Sequence, residues 1–522
     1  MRTVVLLLAA LAGSFLATAA DRELSGRVVD ANTGEPVSRA HLTVRFYQGG
    51  QPPQEVSLLS DADGTFKITD LPVGGFQVAC EKAGYLPANQ GAGAAPVNPA
   101  DGNSVTAMII RLTAQAAVEG TVVDDRDVPA ANAFIQLVRQ QVVSGRKQWQ
   151  VAQGGTTDET GAFRIFSLPA GRYYISVTAR LQGARRSQAL AYPQFYYPNT
   201  SDLAAAQPLD LKAGDEADVS IRLPQPAPAY EIRGVVDTGS ENASVLLLRQ
   251  GSNASFQSPA GDVKWDGKTK SFKISHVTPG IYLLQATVRE QGSAAFATAP
   301  VTVGDSDVTG IRLEPAVASL DGTVRMDDGS QQRVAGYVSV QSERGGSGAP
   351  VDAQGKFHVA NIQPGTYRIV PQIGGPQACV RSILAGGRDV RDGLTVGGEP
   401  PEPIDIVMSS HCGSIDVTLS ASDDTLPPNL TAYLLRRAGD EYVLERQGYA
   451  GPKSSDGSIH FLIMGVPAGD YMAFVWPSDA PIEYANADSM RQYDSFGQRV
   501  SVADDSKAQV TIDKPLIVPA KN

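Results

Sequence analysis

Short runs of alternating apolar and polar residues recur along the whole chain, and five of them share one spacing, F-x-[IV]-x-x-[LIV]-x-x-G-x-[FY]. The copies are Phe66-Ile68-Leu71-Gly74-Phe76, Phe163-Ile165-Leu168-Gly171-Tyr173, Phe272-Ile274-Val277-Gly280-Tyr282, Phe357-Val359-Ile362-Gly365-Tyr367 and Phe461-Ile463-Val466-Gly469-Tyr471. Alternation at period two predicts strands with one buried face, because successive side chains point to opposite sides. Phe and the Ile or Val two residues later therefore enter a core. A turn such as Asp61-Ala62-Asp63-Gly64 or Asp352-Ala353-Gln354-Gly355 precedes the strand, with Asp capping it and Gly accepting positive φ. A reversal such as Leu168-Pro169-Ala170-Gly171 follows, and the aromatic residue two past its Gly starts the next strand.

Openings and closings repeat as well. Leu24-Ser25-Gly26-Arg27-Val28, Val118-Glu119-Gly120-Thr121-Val122, Ile232-Arg233-Gly234-Val235-Val236 and Leu320-Asp321-Gly322-Thr323-Val324 read apolar-x-Gly-x-apolar, and Ile415-Asp416-Val417-Thr418-Leu419 puts Val in the Gly position. Ile110-Arg111-Leu112, Ile221-Arg222-Leu223 and Ile311-Arg312-Leu313 close the first three copies, with Ile406-Val407-Met408 and Val510-Thr511-Ile512 as looser versions. A chain of 522 residues exceeds what one core fills, since cores stop growing at about 250–300 residues. The expected fold is all-β: five tandem immunoglobulin-like or prealbumin-like β-sandwich modules at 21–115, 116–228, 229–315, 316–410 and 411–522. Pro224-Gln225-Pro226-Ala227-Pro228 reads as a semi-rigid spacer between the second and third, and Pro400-Pro401-Glu402-Pro403 as a loop before a closing strand.

Composition narrows the setting. Net charge is −11 and the chain shows no Lys/Arg-rich run, so it lacks the basic footprint nucleic acids require. Residues 1–20 combine Arg2, the apolar run Val4 to Leu16 and an A-x-A site at Ala17 to Ala19, the pattern of a cleavable signal peptide. No later stretch approaches the ~20 apolar residues that cross a bilayer. The mature chain is expected to be periplasmic or secreted, without a transmembrane segment.

Chemistry-bearing residues are scattered. His41, His276, His358, His411 and His460 lack the His-x-x-Glu spacing of zinc carboxypeptidases, and the sequence shows no nucleophile elbow, phosphate loop or paired-Cys metal site. No catalytic residue, metal or cofactor is expected. His276, His358 and His460 fall in or beside the Phe strand, where other copies carry Lys67, Arg164 or Lys273, and read as solvent-face residues. Asp61/Asp63, Asp124/Asp125/Asp127 and Asp305/Asp307 suit turn capping better than calcium, because no full loop pattern accompanies them. Cys80, in phase with Phe76 and Val78, points into a core as an inert thiol. Cys379 and Cys412 flank the fourth–fifth junction; a disulfide there would tie the two modules, and spacing leaves open whether it forms. The one aromatic cluster outside the repeat is Tyr192, Phe195, Tyr196 and Tyr197, whose rings suit a sugar or apolar peptide segment if exposed, or else seal the edge of their own sandwich.

The openings, the D-G-x-F strand and the P-x-G-x-Y turn together resemble the carboxypeptidase regulatory-like domain. The first module carries the resemblance best, through Ser25-Gly26-Arg27-Val28-Val29-Asp30, Thr33-Gly34-Glu35-Pro36-Val37 and Ala40-His41-Leu42-Thr43-Val44. Tyr192 to Pro198 and Tyr493 to Val500 look like segments of large exported arrays of such domains from soil bacteria. The resemblance implies a transthyretin-like or starch-binding-like sandwich with an accessory role. It points to an envelope protein without catalysis, whose partner is a polysaccharide or, alternatively, another envelope protein docking on a spacer or scaffold. A metallopeptidase is the remotest reading.

Overall fold

The computed structural model describes residues 23–47, 52, 54–69, 75–86, 105–181, 189–250, 257–290, 293–315, 319–329, 336–342, 345–373, 375, 377–397, 401–420, 426–427, 429–439, 441–451, 453–454 and 456–517. The expected signal segment 1–20 and the first Pro-Gly reversal at 71–74 lie outside these. The described chain is all-β, with one five-residue helix, Ala487–Arg491, and short 3-10 turns at Leu203–Ala205 and Asp494–Phe496. Its compact units are two: a smaller one of residues 1–117 with 167–170 and 212–215, and a larger one of the remaining residues.

The smaller unit contains one pair of sheets. Thr65–Ile68, Leu24–Asp30 and Val105–Leu112 form one, and Gln54–Leu59, His41–Tyr47 and Gly75–Glu81 the other. Leu24, Val28, Phe46, Phe66, Phe76 and Cys80 are buried between them. Among the described residues the larger unit contains four further pairs of sheets in chain order, numbered second to fifth below, and a separate two-stranded ladder.

In each pair the opening strand lies between the Phe-containing strand and the closing strand, and in the first, third, fourth and fifth it runs antiparallel to the Phe-containing strand. In the fourth pair, Leu320–Met326 sets Gly322 opposite Phe357 on one side and Ile404, in parallel, on the other. Leu320, Val324 and Met326 are buried, and Asp321, Thr323 and Arg325 between them are exposed. The opening glycine permits a close approach. A Cβ at Gly26, Gly234 or Gly322 would lie 2.1, 2.4 or 2.5 Å from the carbonyl oxygen of Met108, Ile311 or Ile404, and within 2.8 Å of the ring of Phe66, Phe272 or Phe357. Only hydrogen lets the core ring and the closing strand meet at that point. Val417 takes the position in the fifth pair, where the parallel register with Val510 runs without a shift.

Turn and corner repeat too. Asp158 Oδ1 accepts from the backbone N–H of Thr160 and Ala162 at 2.8 and 3.0 Å, and Asp352 Oδ1 from those of Gln354 and Lys356 at 2.9 and 2.8 Å. The hydroxyls of Tyr282, Tyr367 and Tyr471 each donate to the carbonyl four residues earlier, at 2.6, 2.8 and 2.7 Å. These bonds satisfy a hydroxyl carried into the core and fix the chain reversal.

Two pairs bury a second apolar cluster on the outer face of one sheet. In the second pair, Tyr196, Leu203 and Ala206 cover Val138 and Trp149. In the fifth, Ile482, Met490 and Leu516 cover Tyr433, Leu435 and Trp476. Tyr196, Leu203 and Ala206, like Ile482 and Met490, come from the segment after the corner strand, Gly171–Thr178 or Gly469–Pro477, whereas Leu516 follows the closing strand Lys507–Ile512.

Inside the larger unit, contacts reach beyond chain neighbours. Arg180 pairs with Asp262 between the second and third sheet pairs. Asn361 Oδ1 accepts from Ala294 N–H at 2.6 Å between the third and fourth. The fourth and fifth share the Arg381–Asp504 ion pair. The tip of the Phe134–Val143/Arg146–Thr156 hairpin of the second pair meets the fifth: Arg146 pairs with Glu441, Lys147 with Glu483, and Ala485 N–H donates to Gly145 O at 3.1 Å. A string of modules joined only by linkers would not make this last contact. The spacer expected at Pro224 to Pro228 is corrected as well: Ala227–Pro228 pairs antiparallel with Leu190–Ala191, and Ala229 N–H donates to Ala189 O at 3.0 Å. The extended backbone that proline favours presents an edge, and a passing strand takes it.

Candidate functional site

The expected aromatic platform is not presented to solvent. Tyr192, Phe195 and Tyr196 are only 8, 2 and 5% exposed, and Tyr197 is half-buried. Phe195–Tyr196 adds a short antiparallel strand to Gly171–Thr178, with Ser176 opposite Tyr196. Tyr196 packs in the outer-face cluster, and that burial pushes its hydroxyl up to about 12. The Tyr192 hydroxyl donates to Asp125 Oδ1 at 3.0 Å. The cause lies in the sheet beneath: Val138, Trp149 and Tyr174 make its outer face apolar, so the loop covers it.

Cys379 and Cys412 are joined, with an S–S distance of 2.10 Å and a Cα–Cα distance of 6.0 Å. Cys80 is buried, and desolvation pushes its thiol up to about 12, which makes it a poor nucleophile. Four histidines each face a different carboxylate through Nδ1: His276 with Asp262, His358 with Asp321, His411 with Asp505 and His460 with Asp416, at 2.8 to 3.1 Å. They do not converge. His358–Asp321 is a cross-strand pair in register; His358 takes the position after the Phe that Lys67 and Lys273 hold in other sheets, where the lysines reach diagonally to Glu23 and Glu231. The acidic clusters cap and pair: Asp124 Oδ1 accepts from the N–H groups of Arg126 and Val128, Asp127 pairs with Arg222, and Asp307 Oδ1 accepts from Glu231 N–H.

A site outside the repeat lies between the second and third sheet pairs, where a cavity of about 430 Å³ opens. The second pair supplies the end of its corner strand and the aromatic segment; the third supplies Arg249, Asp262 and His276. Arg180 Nε lies 2.8 Å from Asp262 Oδ1, and His276 Nδ1 lies 2.9 Å from Asp262 Oδ2. Arg249 lies over the Tyr282 ring at 5.8 Å from its centroid. Of the expected site residues, Tyr192 lines this cavity. Nothing in the sequence marks it, because its walls come from segments some 80 positions apart, each with an ordinary strand pattern.

Among solved structures, the chain is similar to a minor pilin of Streptococcus agalactiae, with 15% identity over 40% of this chain and 98% of that one and a TM-score of 0.23. It is similar to the shaft pilin SpaA of Lactobacillus rhamnosus GG, with 11% identity over 40% of this chain and all of that one and a TM-score of 0.20. The Bacillus anthracis TIE protein matches with 11% identity over 74% of this chain and 68% of its own, at a TM-score of 0.17. At such TM-scores these likenesses carry no inference about function. No curated protein matches the chain. Residues 23–110 and 117–224 each match the family model of the carboxypeptidase regulatory-like domain, so the first two sheet pairs carry that pattern twice in tandem.

Proposed function

We propose that the chain is an exported, non-catalytic scaffold of five β-sandwich modules at the cell envelope, bounded as the five sheet pairs are, in which modules two to five brace one another. One observation carries this reading: the hairpin tip of the second module meets the fifth, so the modules are fastened together rather than strung out. Two others support it. The conspicuous repeat residues serve core, turn and corner, and four of the five histidines are each tied to a different carboxylate. The Cys379–Cys412 bond fits an oxidising compartment, as does the apolar start of the chain. The tandem regulatory-like match agrees with an accessory role, although a fold alone does not fix a function.

Polysaccharide binding through the aromatic loop is the weaker reading, because three of the four rings are buried. A glycan array with the wild type and the Tyr196→Ala and Tyr197→Ala variants tests the choice. The scaffold reading expects no sugar retained by the wild type, and a loss of about 3–5 kcal/mol of stability in Tyr196→Ala from the emptied aromatic site. Sugar binding that disappears in a folded Tyr197→Ala protein would instead establish a carbohydrate module. Zinc-dependent peptidase activity of the pure chain would remove both readings.

A further inference from the structure

The cavity between the second and third sheet pairs holds an unbalanced charge that the scaffold role does not use. Asp262 is matched twice, by Arg180 on one oxygen and His276 on the other. Among the described residues Arg249 has only neutral partners: Nη1 donates to Thr278 Oγ1 at 3.1 Å, Nη2 to Pro279 O at 3.5 Å, and the Tyr282 ring lies beneath it. No carboxylate among the described residues pairs with this half-buried guanidinium. A guanidinium carries five donors and a full charge, and withdrawing it from water is costly without a counterion. The second wall holds another unmet group: Thr178 Oγ1 is buried without a hydrogen-bond partner among the described residues. Buried hydroxyls are ordinarily satisfied.

The remaining wall decides what kind of anion fits. Phe134, Leu181, Leu190 and Val277 line the cavity with apolar surface. A bare inorganic anion would leave that surface wet, and a neutral sugar would leave Arg249 without a counter-charge. The volume of about 430 Å³ falls in the range of small-molecule sites, ~300–1,000 Å³. We propose that this cavity binds a small organic carboxylate with an apolar body, the carboxylate on Arg249 and the body against the Phe134–Leu190 wall. Bidentate geometry favours a carboxylate on an arginine fork. Thr178 offers its hydroxyl to a further polar group of the ligand. The inference stands apart from the scaffold reading, since either can fail while the other holds.

Calorimetric titration of the full chain with phenylacetate and octanoate, against phenylacetamide, octanamide and inorganic phosphate, tests it. Each carboxylate is expected to bind at least about tenfold more tightly than its amide, and more tightly than phosphate. Arg249→Gln should lose about tenfold or more of that affinity, with its thermal melt checked to confirm folding. Ala191→Trp, which fills the cavity from the other sheet pair, should block binding with Arg249 untouched. Equal binding of carboxylate and amide, phosphate as tight as phenylacetate, no carboxylate binding at about 10 mM, or unchanged affinity in a folded Arg249→Gln or Ala191→Trp protein would each overturn the proposal.

Discussion

Where the fourth sheet pair meets the fifth, polar groups close the joint; where the second meets the third, they line a hollow. At the closed joint Cys379 is bonded to Cys412, and Arg381 grips both oxygens of Asp504 at 2.9 and 2.6 Å. Arg368 donates to Leu444 O and Arg446 to Ala378 O, each at 2.8 Å, and Arg436 lies between Asp392 and Glu445. At the hollow joint the Arg180–Asp262 ion pair lies at the edge of a cavity. The sheet pairs on both sides share the same repeat. What separates a locked joint from an open one is therefore the set of side chains the repeat leaves free to vary.

The largest effect is expected from the covalent link. Replacing both Cys379 and Cys412 with Ala frees a separation of 33 residues, which chain entropy values at about 3–4 kcal/mol. Urea melts followed by Trp476, stacked on Tyr433 in the fifth pair, should shift to lower urea. Melts followed by Trp149 in the second pair, braced to the fifth only through a hairpin tip, should shift less. Equal shifts at both reporters would erase the contrast between the joints.

Packing gives the next contrast. Ala378 is 5% exposed in a filled core, so Ala378→Leu should destabilise by about 1–3 kcal/mol through overpacking. Ala191 borders the cavity, so Ala191→Leu should stay within about 0.5 kcal/mol of the wild type. Thermal melts of the two variants read this directly, and a large loss in Ala191→Leu would mean that the hollow is not one.

The smallest effect is electrostatic and set by pH. Hydrogen bonding to Arg381 holds the Asp504 carboxyl below its ordinary value, and bonding to Asp505 raises His411 above its own. A depressed carboxyl contributes above its unfolded pKa, near 3.8, and that contribution fades as pH falls through the folded value. A raised histidine contributes below its unfolded pKa, near 6.5, and the contribution fades as pH rises through the folded value. Both are complete only between about pH 4 and 6.5. The urea midpoint read by Trp476 should be highest in that window. Asp504→Asn should weaken the acid-side fall and His411→Gln the alkaline-side fall.

The regular parts of this molecule were legible in the sequence because period and turn chemistry are local. Phe272, Ile274 and Tyr282 lie in the core where the alternation sends them, and Asp158 and Asp352 cap the expected turns. The opening glycines were recognised as a pattern, yet their cause, the approach of the closing strand to a Phe ring, involves residues more than 70 positions away in the first, third and fourth pairs. The aromatic loop left two readings, a binding surface or a cover over its own sandwich, for a similar reason. Its composition suits a binding surface, and only the apolar outer face formed by Val138 and Trp149 shows what it covers. Contacts between sheet pairs, such as Arg249 facing the second pair or Gly145 beside Tyr484, follow no period.

Zero-length carbodiimide coupling of dilute full-length chain, followed by peptide mass spectrometry, tests the bracing most directly. Lys147 of the second sheet pair and Glu483 of the fifth form an ion pair, and Lys273–Glu231 within the third serves as an internal control. The account predicts an amide-linked Lys147–Glu483 peptide pair within one chain, lost in Glu483→Gln while the Lys273–Glu231 link persists. Recovery of the control link without any Lys147–Glu483 link would contradict it, and would return the modules to beads on a string.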